Sequence, residues 1–232
     1  MKKLFALIVF VGSSILFTLF AQNIGRQSIK ISDIEGNSYN TVLIGNQHWM
    51  AENLKVNKYN DGTQIPNVTD DTKWSGLSSG AWCYYNNEVV NNSKYGKLYN
   101  WYAISLTTNG NKNLCPSGWH VPSDIEWTVL IKYLGGEDVA GGKLKEVGTT
   151  NWSYSNTDDS NISLFTGLPG GNRNDAGGFE NIGEGAYWWS SSEVFWKSEA
   201  TGMAWYRYLF SSIEYRKKTN QVNGLSVRCI RD

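Results

Sequence analysis

Residues 122–136 read PSDIEWTVLIKYLGG, and the way this stretch starts and stops sets the reading of the whole chain. Ser123 offers an N-cap oxygen and Glu126 follows three positions later, the reciprocal pairing of a capping box. Trp127, Leu130, Ile131 and Leu134 fall at i, i+3, i+4 and i+7 and so share one helical face. Gly135 and Gly136 end the helix. Trp127 sits on the apolar stripe, which makes it a core residue rather than a ligand contact. A shorter helical turn is expected at Lys143 to Val147.

Working outward, the flanking segments have the period and punctuation of strands. From Ile31 the chain alternates short strands with turns at Glu35-Gly36-Asn37 and Gly45-Asn46, with Val42 and Ile44 in alternation, as in a meander or hairpin. Residues 57–92 are rich in Asn, Asp, Ser and Gly and read as loop, with one strand at Ala81 to Tyr85. After the helix, LPGGNR, AYWWSSSE, AWYRYLF and LSVRCIRD each read as a strand or strand end. In AWYRYLF, Ala204, Tyr206, Tyr208 and Phe210 share one face, while Trp205, Arg207 and Leu209 share the other. Leu225, Val227 and Cys229 point one way, with Ser226 and Arg228 opposite. Strands on both sides of a small helical section predict an α+β fold with antiparallel sheet and a few short helices. No Pro/Ser-rich linker interrupts it, so residues 31–232 are expected to form one domain.

The first 21 residues have the layout of a secretory signal: Met1-Lys2-Lys3, then apolar residues to Ala21. Cleavage is expected after Ala21, leaving residues 22–30 as a linker. The alternative is an uncleaved anchor, which the Ser and Thr interruptions weaken. No later run is apolar enough to span a bilayer. The formal charge is zero, and loss of an acid-free leader leaves the remainder slightly acidic, so nucleic acid is a poor candidate partner. A content of 41% hydrophobic and 14% aromatic residues excludes low-complexity disorder. Three cysteines allow three single bridges, each leaving one thiol over. The expected bridge joins Cys115 to Cys229, with Cys83 a buried small hydrophobe.

The residues that carry catalysis are sparse. His48 and His120 are the only histidines, and no nucleophile elbow surrounds Ser190, Ser191, Ser192 or Cys83. His120 is expected to hydrogen-bond loop backbone. Asp158, Asp159, Asp175, Glu180, Glu184 and Glu193 could supply a glycosidase pair, although their spacing fixes no separation. The same oxygens, with Asn156, Asn161, Asn172 and Asn174, could hold calcium, but no EF-hand spacing occurs. No Cys or His pair has zinc spacing, and LPGGNR lacks the context of a phosphate loop. No cofactor is expected. What remains is an aromatic excess of 11 Trp and 13 Tyr. Trp152, Trp188, Trp189, Trp196, Trp205 and Tyr206 lie in strand ends or loops and are the candidate ligand-binding rings. Because Trp188 and Trp189 are adjacent in a strand, one of them is expected to be the more exposed.

Several strings, in order, resemble one known family: DIEGNSYNTVLIGNQHWMAENLK (33–55), WCYYNN (82–87), YGKLYNWYAI (95–104), CPSGWHVPSDIEW (115–127), LPGGNR (168–173), YWWSSSE (187–193) and GLSVRCIRD (224–232). They are similar to the Fibrobacter succinogenes major paralogous domain family, found in exported proteins of Bacteroidota and Fibrobacteres. That resemblance implies a C-type-lectin-like layout, a secreted or outer-surface location, and recognition or adhesion rather than catalysis, with carbohydrate suggested by fold analogy. Cys115 and Cys229 match the family's cysteine-bearing strings, which supports their pairing. The Glu-Pro-Asn or Gln-Pro-Asp tripeptide and the Trp-Asn-Asp string of calcium-dependent lectins are missing, as is the redox cysteine pair of formylglycine-generating enzymes. The expected function is an exported noncatalytic domain that binds polysaccharide or a cell-surface protein. The alternatives are a glycan-acting enzyme using Asp158, Asp175, Glu184 or Glu193, and a structural envelope protein.

Overall fold

The computed structural model describes residues 29–154 and 158–232. The expected signal segment, nearly all of the linker and Asn156 lie outside these residues. In chain order the strands are β1 (Lys30–Ser32), β2 (Ser38–Ile44), β3 (Gln47–Met50), β4 (Trp82–Cys83), β5 (Leu98–Tyr99), β6 (Trp119–His120), β7 (Gly170–Arg173), β8 (Phe179–Ile182), β9 (Gly185–Trp196), β10 (Glu199–Phe210), β11 (Ile213–Asn220) and β12 (Ile230–Arg231). The helices are α1 (Asp71–Ser75), α2 (Asn91–Tyr95), α3 (Trp101–Ile104), α4 (Asp124–Tyr133) and α5 (Glu137–Leu144). Two five-stranded sheets, ordered β1-β2-β3-β12-β6 and β11-β10-β9-β7-β8, are joined by a two-stranded β4-β5 ribbon. The fold is α+β and mostly antiparallel; only β7 and β9 pair in parallel among the named strands.

Helix α4 forms as its sequence dictates. Ser123 caps it and Glu126 completes the capping box, Trp127, Leu130, Ile131 and Leu134 are buried, and Gly135 and Gly136 follow in positive φ. The second helix differs from expectation: α5 runs over Glu137–Leu144, not Lys143–Val147. Its interior Gly141 and Gly142 lie against backbone. A Cβ there would sit 2.1 Å from the Ser212 carbonyl oxygen and 2.5 Å from that of Asp158. Two glycines that weaken helix propensity are therefore what lets the helix dock.

Cys115 and Cys229 form a disulfide, with Cα atoms 5.9 Å apart and a sequence separation of 114. Cys83 is free and buried, and burial pushes its thiol up to about 12, which keeps it protonated and inert.

Strand β9 carries the packing of the molecule. Trp189 enters a core with Tyr99, Trp101, Leu225 and Val227, whereas Trp188 enters another with Trp49, Trp127, Phe165 and Leu209. Both faces of β9 are thus covered, and Trp188 and Trp189 are equally buried. The expectation that one of them is exposed is corrected: alternation separates two interiors here, not interior from solvent. Both faces of the last segment are buried as well, since Ser226 and Arg228 are as enclosed as Val227 and Cys229.

Candidate functional site

The candidate site lies on the β9–β10–β11 sheet. Strands β9 and β10 pair out to Glu199 opposite Trp196, and Lys197 and Ser198 turn the corner with φ of 47° and 71°. Two successive positive φ values give the turn twist that suits a two-residue hairpin. Neither residue is the Asn-Gly that signals such a turn, so the sequence did not reveal it. Below the tip, the pairing shifts between Ala200 and Ala204, with Gly202 at φ 70°. Thr201 Oγ1 donates to the Val194 carbonyl at 2.7 Å, and Gln221 Nε2 donates to Glu193 at 2.9 Å. Beyond these ties every residue from Phe195 to Met203 is exposed. Phe195 and Trp196 are 60% and 70% exposed and, as strand neighbours, project to opposite faces of the hairpin.

Nearer the base, a row of tyrosines crosses the three strands. Tyr208 stands opposite Tyr187 on β9 and Tyr215 on β11. Its ring stacks on theirs at 5.3 Å and 4.7 Å between centroids, within 7° and 15° of parallel. Tyr206 adjoins at 6.1 Å, and the Lys217 ammonium lies 5.7 Å from both Tyr208 and Tyr215. All four tyrosines are half-buried. Burial, and after it the neighbouring phenols, pushes Tyr187, Tyr206 and Tyr208 above the ordinary phenol range, so these three stay neutral. Because adjacent rings cover each other's faces, the row offers ring edges and hydroxyls outward. The open ring faces are at the hairpin tip.

The structure divides the six candidate rings. Trp196 is exposed at the tip, and Tyr206 is half-buried in the tyrosine row. Trp205 is half-buried, with the Arg216 guanidinium 3.5 Å from its ring centre covering one face. Trp152, Trp188 and Trp189 are at most 2% exposed and are corrected to core residues. Their indole N–H groups donate to the Gly167 carbonyl, to Asn53 and to the Tyr99 carbonyl. Burying an indole removes roughly 200 Å² from water and contributes about 5 kcal/mol, so these rings were claimed by folding. Phe195, Tyr187, Tyr208 and Tyr215 were missed. The Tyr208 and Phe210 alternation in AWYRYLF was the available signal for the row's face, but not for its partners.

The acids are dispersed in role. Asp159 forms a fully buried ion pair with Lys145 at 2.8 Å. Glu193 accepts from Gln221 and Glu180 from Asn174, while Asp158, Asp175 and Glu184 are exposed. Among the described residues, no group of three His, Cys, Asp or Glu side chains is placed to hold a metal ion.

His120 does not bind loop backbone as expected. Nδ1 meets Asp232 at 2.6 Å and Nε2 meets Glu126 at 2.8 Å. With a carboxylate on each nitrogen, both ring nitrogens are already engaged and neither is turned to a nucleophile. Ser190 Oγ accepts from the Ser192 amide and Ser192 Oγ from the Asp124 amide, so these hydroxyls hold backbone in place.

No helix among the described residues is long and apolar enough to cross a membrane. No curated protein and no solved structure matches the chain. Residues 42–231, most of the chain, match the Fibrobacter succinogenes major domain. The order of strings read from the sequence and the extent of this match agree: the chain belongs to the Fibrobacter succinogenes major domain family.

Proposed function

We propose that this is an exported, noncatalytic recognition domain of C-type-lectin-like layout that binds polysaccharide through the tip of the β9–β10 hairpin. The observation that carries this reading is the exposure of Phe195 and Trp196, one on each face, at the end of the β9–β10 hairpin, with Met203 exposed further down β10. Large apolar side chains gathered outside the core contribute nothing to folding and mark a contact surface. A flat indole with an open face and one polar edge suits the apolar side of a sugar ring, and the tyrosine row, about 30 Å back along β9 from Trp196, offers hydroxyls to a more distant part of an extended chain. The pairing of β12 with β3, which brings the C-terminal strand against the N-terminal ones, supports the lectin-like layout. A cell-surface protein is the other ligand class this surface suits.

The test is a titration of the purified protein with soluble plant and bacterial polysaccharides, followed by tryptophan fluorescence. Trp196→Ala and Phe195→Ala are run separately because the two rings face opposite ways. At least one is expected to weaken binding about ten-fold, the loss typical of an aromatic anchor, with thermal unfolding unchanged. Folded variants that both bind like the parent would refute the assignment. Binding to no glycan would move the reading to a protein partner.

A further inference from the structure

A second concavity, which shares no residue with the hairpin, opens between β2, the end of α4 and the loop 161–168. Its volume is about 660 Å³, within the range of small-molecule sites. Leu43, Tyr133, Ile162 and Leu164 line it and are exposed, which gives the cleft an apolar open rim.

Its charges are unbalanced. Arg228, Lys94 and Lys143 line it against a single carboxylate, Glu52. Both Glu52 oxygens accept from Asn40, from the amide at 2.8 Å and from Nδ2 at 2.6 Å. Lys143 donates to the Leu134 carbonyl at 2.8 Å. Arg228 is 1% exposed, and its acceptors are all neutral: Asn53 Oδ1 at 2.9 Å, the Phe165 carbonyl, and the Thr166 carbonyl at 2.8 Å. Three of its five N–H groups are used. Among the described residues no carboxylate forms an ion pair with it: Glu52 acts on its charge only through space, and the Phe165 and Trp188 rings lie 4.0 Å and 5.3 Å from its guanidinium, so an enclosed cation is left without a bonded anion, which is costly.

The loop that bounds the cleft is strained. Asn161, Leu164 and Thr166 have φ of 45°, 58° and 55°, conformations that are unfavourable for a bulky residue such as Leu164 and a β-branched one such as Thr166 and that concentrate at ligand sites. This strain does two things. It turns the carbonyls of Phe165 and Thr166 onto Arg228, and it leaves Leu164 on the cleft wall instead of in the core.

We propose that this cleft binds a small organic acid with an apolar body, its anionic group beside Arg228 and Lys94 and its hydrocarbon against Leu43, Tyr133 and Leu164. The anion supplies the ion-pair partner Arg228 lacks, and the hydrocarbon covers the exposed rim. A neutral amphiphile satisfies only the second need, and a bare anion only the first.

The test is a calorimetric titration of the purified protein with octanoate, 1-octanol and acetate. Octanoate is expected to bind saturably at one site, at least ten-fold tighter than either of the others, a gap of about 1.4 kcal/mol. Lys94→Ala is expected to weaken octanoate several-fold. Leu164→Gly is the sharper variant, because glycine relieves the positive φ: its thermal midpoint should hold or rise while octanoate binding weakens. Equal affinity for octanoate and octanol, no saturation by about 10 mM octanoate, or parent-like binding in both folded variants each overturns the proposal.

Discussion

Asn53 shows how much of this interior depends on single polar side chains. It is buried between the cores and uses both ends of its amide. Oδ1 accepts from Trp188 Nε1 at 2.8 Å and Arg228 Nε at 2.9 Å, while Nδ2 donates to the Tyr95 carbonyl at 2.8 Å and Ser226 Oγ at 3.2 Å. Asn53→Ala strands two buried donors, each worth about 1–3 kcal/mol when unpaired. It is expected to lower unfolding stability by about 3 kcal/mol, measured by urea denaturation. Nothing in the string MAENLK singles Asn53 out, because its partners come from distant segments. The buried arginines were hidden for the same reason. Arg207 and Arg228 fall at alternating positions whose spacing gives a face but not its burial, yet Arg207 reaches Asp124 and Thr128 at 2.9 and 2.7 Å, and Arg173 reaches the Val68 and Thr69 carbonyls. Polar residues at period 2 signal solvent only where one face of the strand is open.

At the scale of elements, legibility followed the locality of the cause. The start, stop and buried face of α4 were readable because the cap, stripe and glycines are all within 14 positions of one another. Helix α5 was not, because its glycines answer to backbone from residues 158 and 212. The alternation of β10 was legible, whereas the hairpin turn at Lys197-Ser198 carried no glycine to mark it. The junction of β6, α4 and β12 adds a dependence on acidity. Burial disfavours charged His120, but its hydrogen bonds to Asp232 and Glu126 outweigh it and raise its pKa. Burial likewise opposes Glu126 ionisation, but the Ser123 amide and hydroxyl, with His120, lower its pKa. The His120 contribution is therefore complete below its unfolded value, about 6.5, and is lost as pH rises through the higher folded one. The Glu126 contribution is complete above about 4.3 and is lost as pH falls through the lower folded one. Stability from this junction should be greatest between those limits. Thermal midpoints from pH 6 to 9 are expected to fall in the parent and to flatten in His120→Gln; an equal slope in both would dismiss the junction as the source.

For the whole molecule, the bridge between Cys115 and Cys229 is the long-range tie, closing a loop of 114 positions that contains α4, α5 and the entire second sheet. In the chain-entropy account such a loop restricts the unfolded ensemble by about 4–5 kcal/mol. A variant with both cysteines changed to alanine is expected to lose stability of that order, read as a lower urea midpoint, while the parent, whose two cysteines are at most 1% exposed, resists reductant until it unfolds.

The same bond gives the domain a mechanical character. Lys30 and Arg231 lie in strands of one sheet, so tension applied across them is borne by β1, β2, β3 and β12. If those strands part, the ring closed at Cys229 keeps 114 positions from paying out. At roughly 3.5 Å per residue, about 400 Å of chain stays reeled in, and the hairpin tip, which lies inside that ring, carries none of the tension, because the load passes through the bridge instead of around the ring.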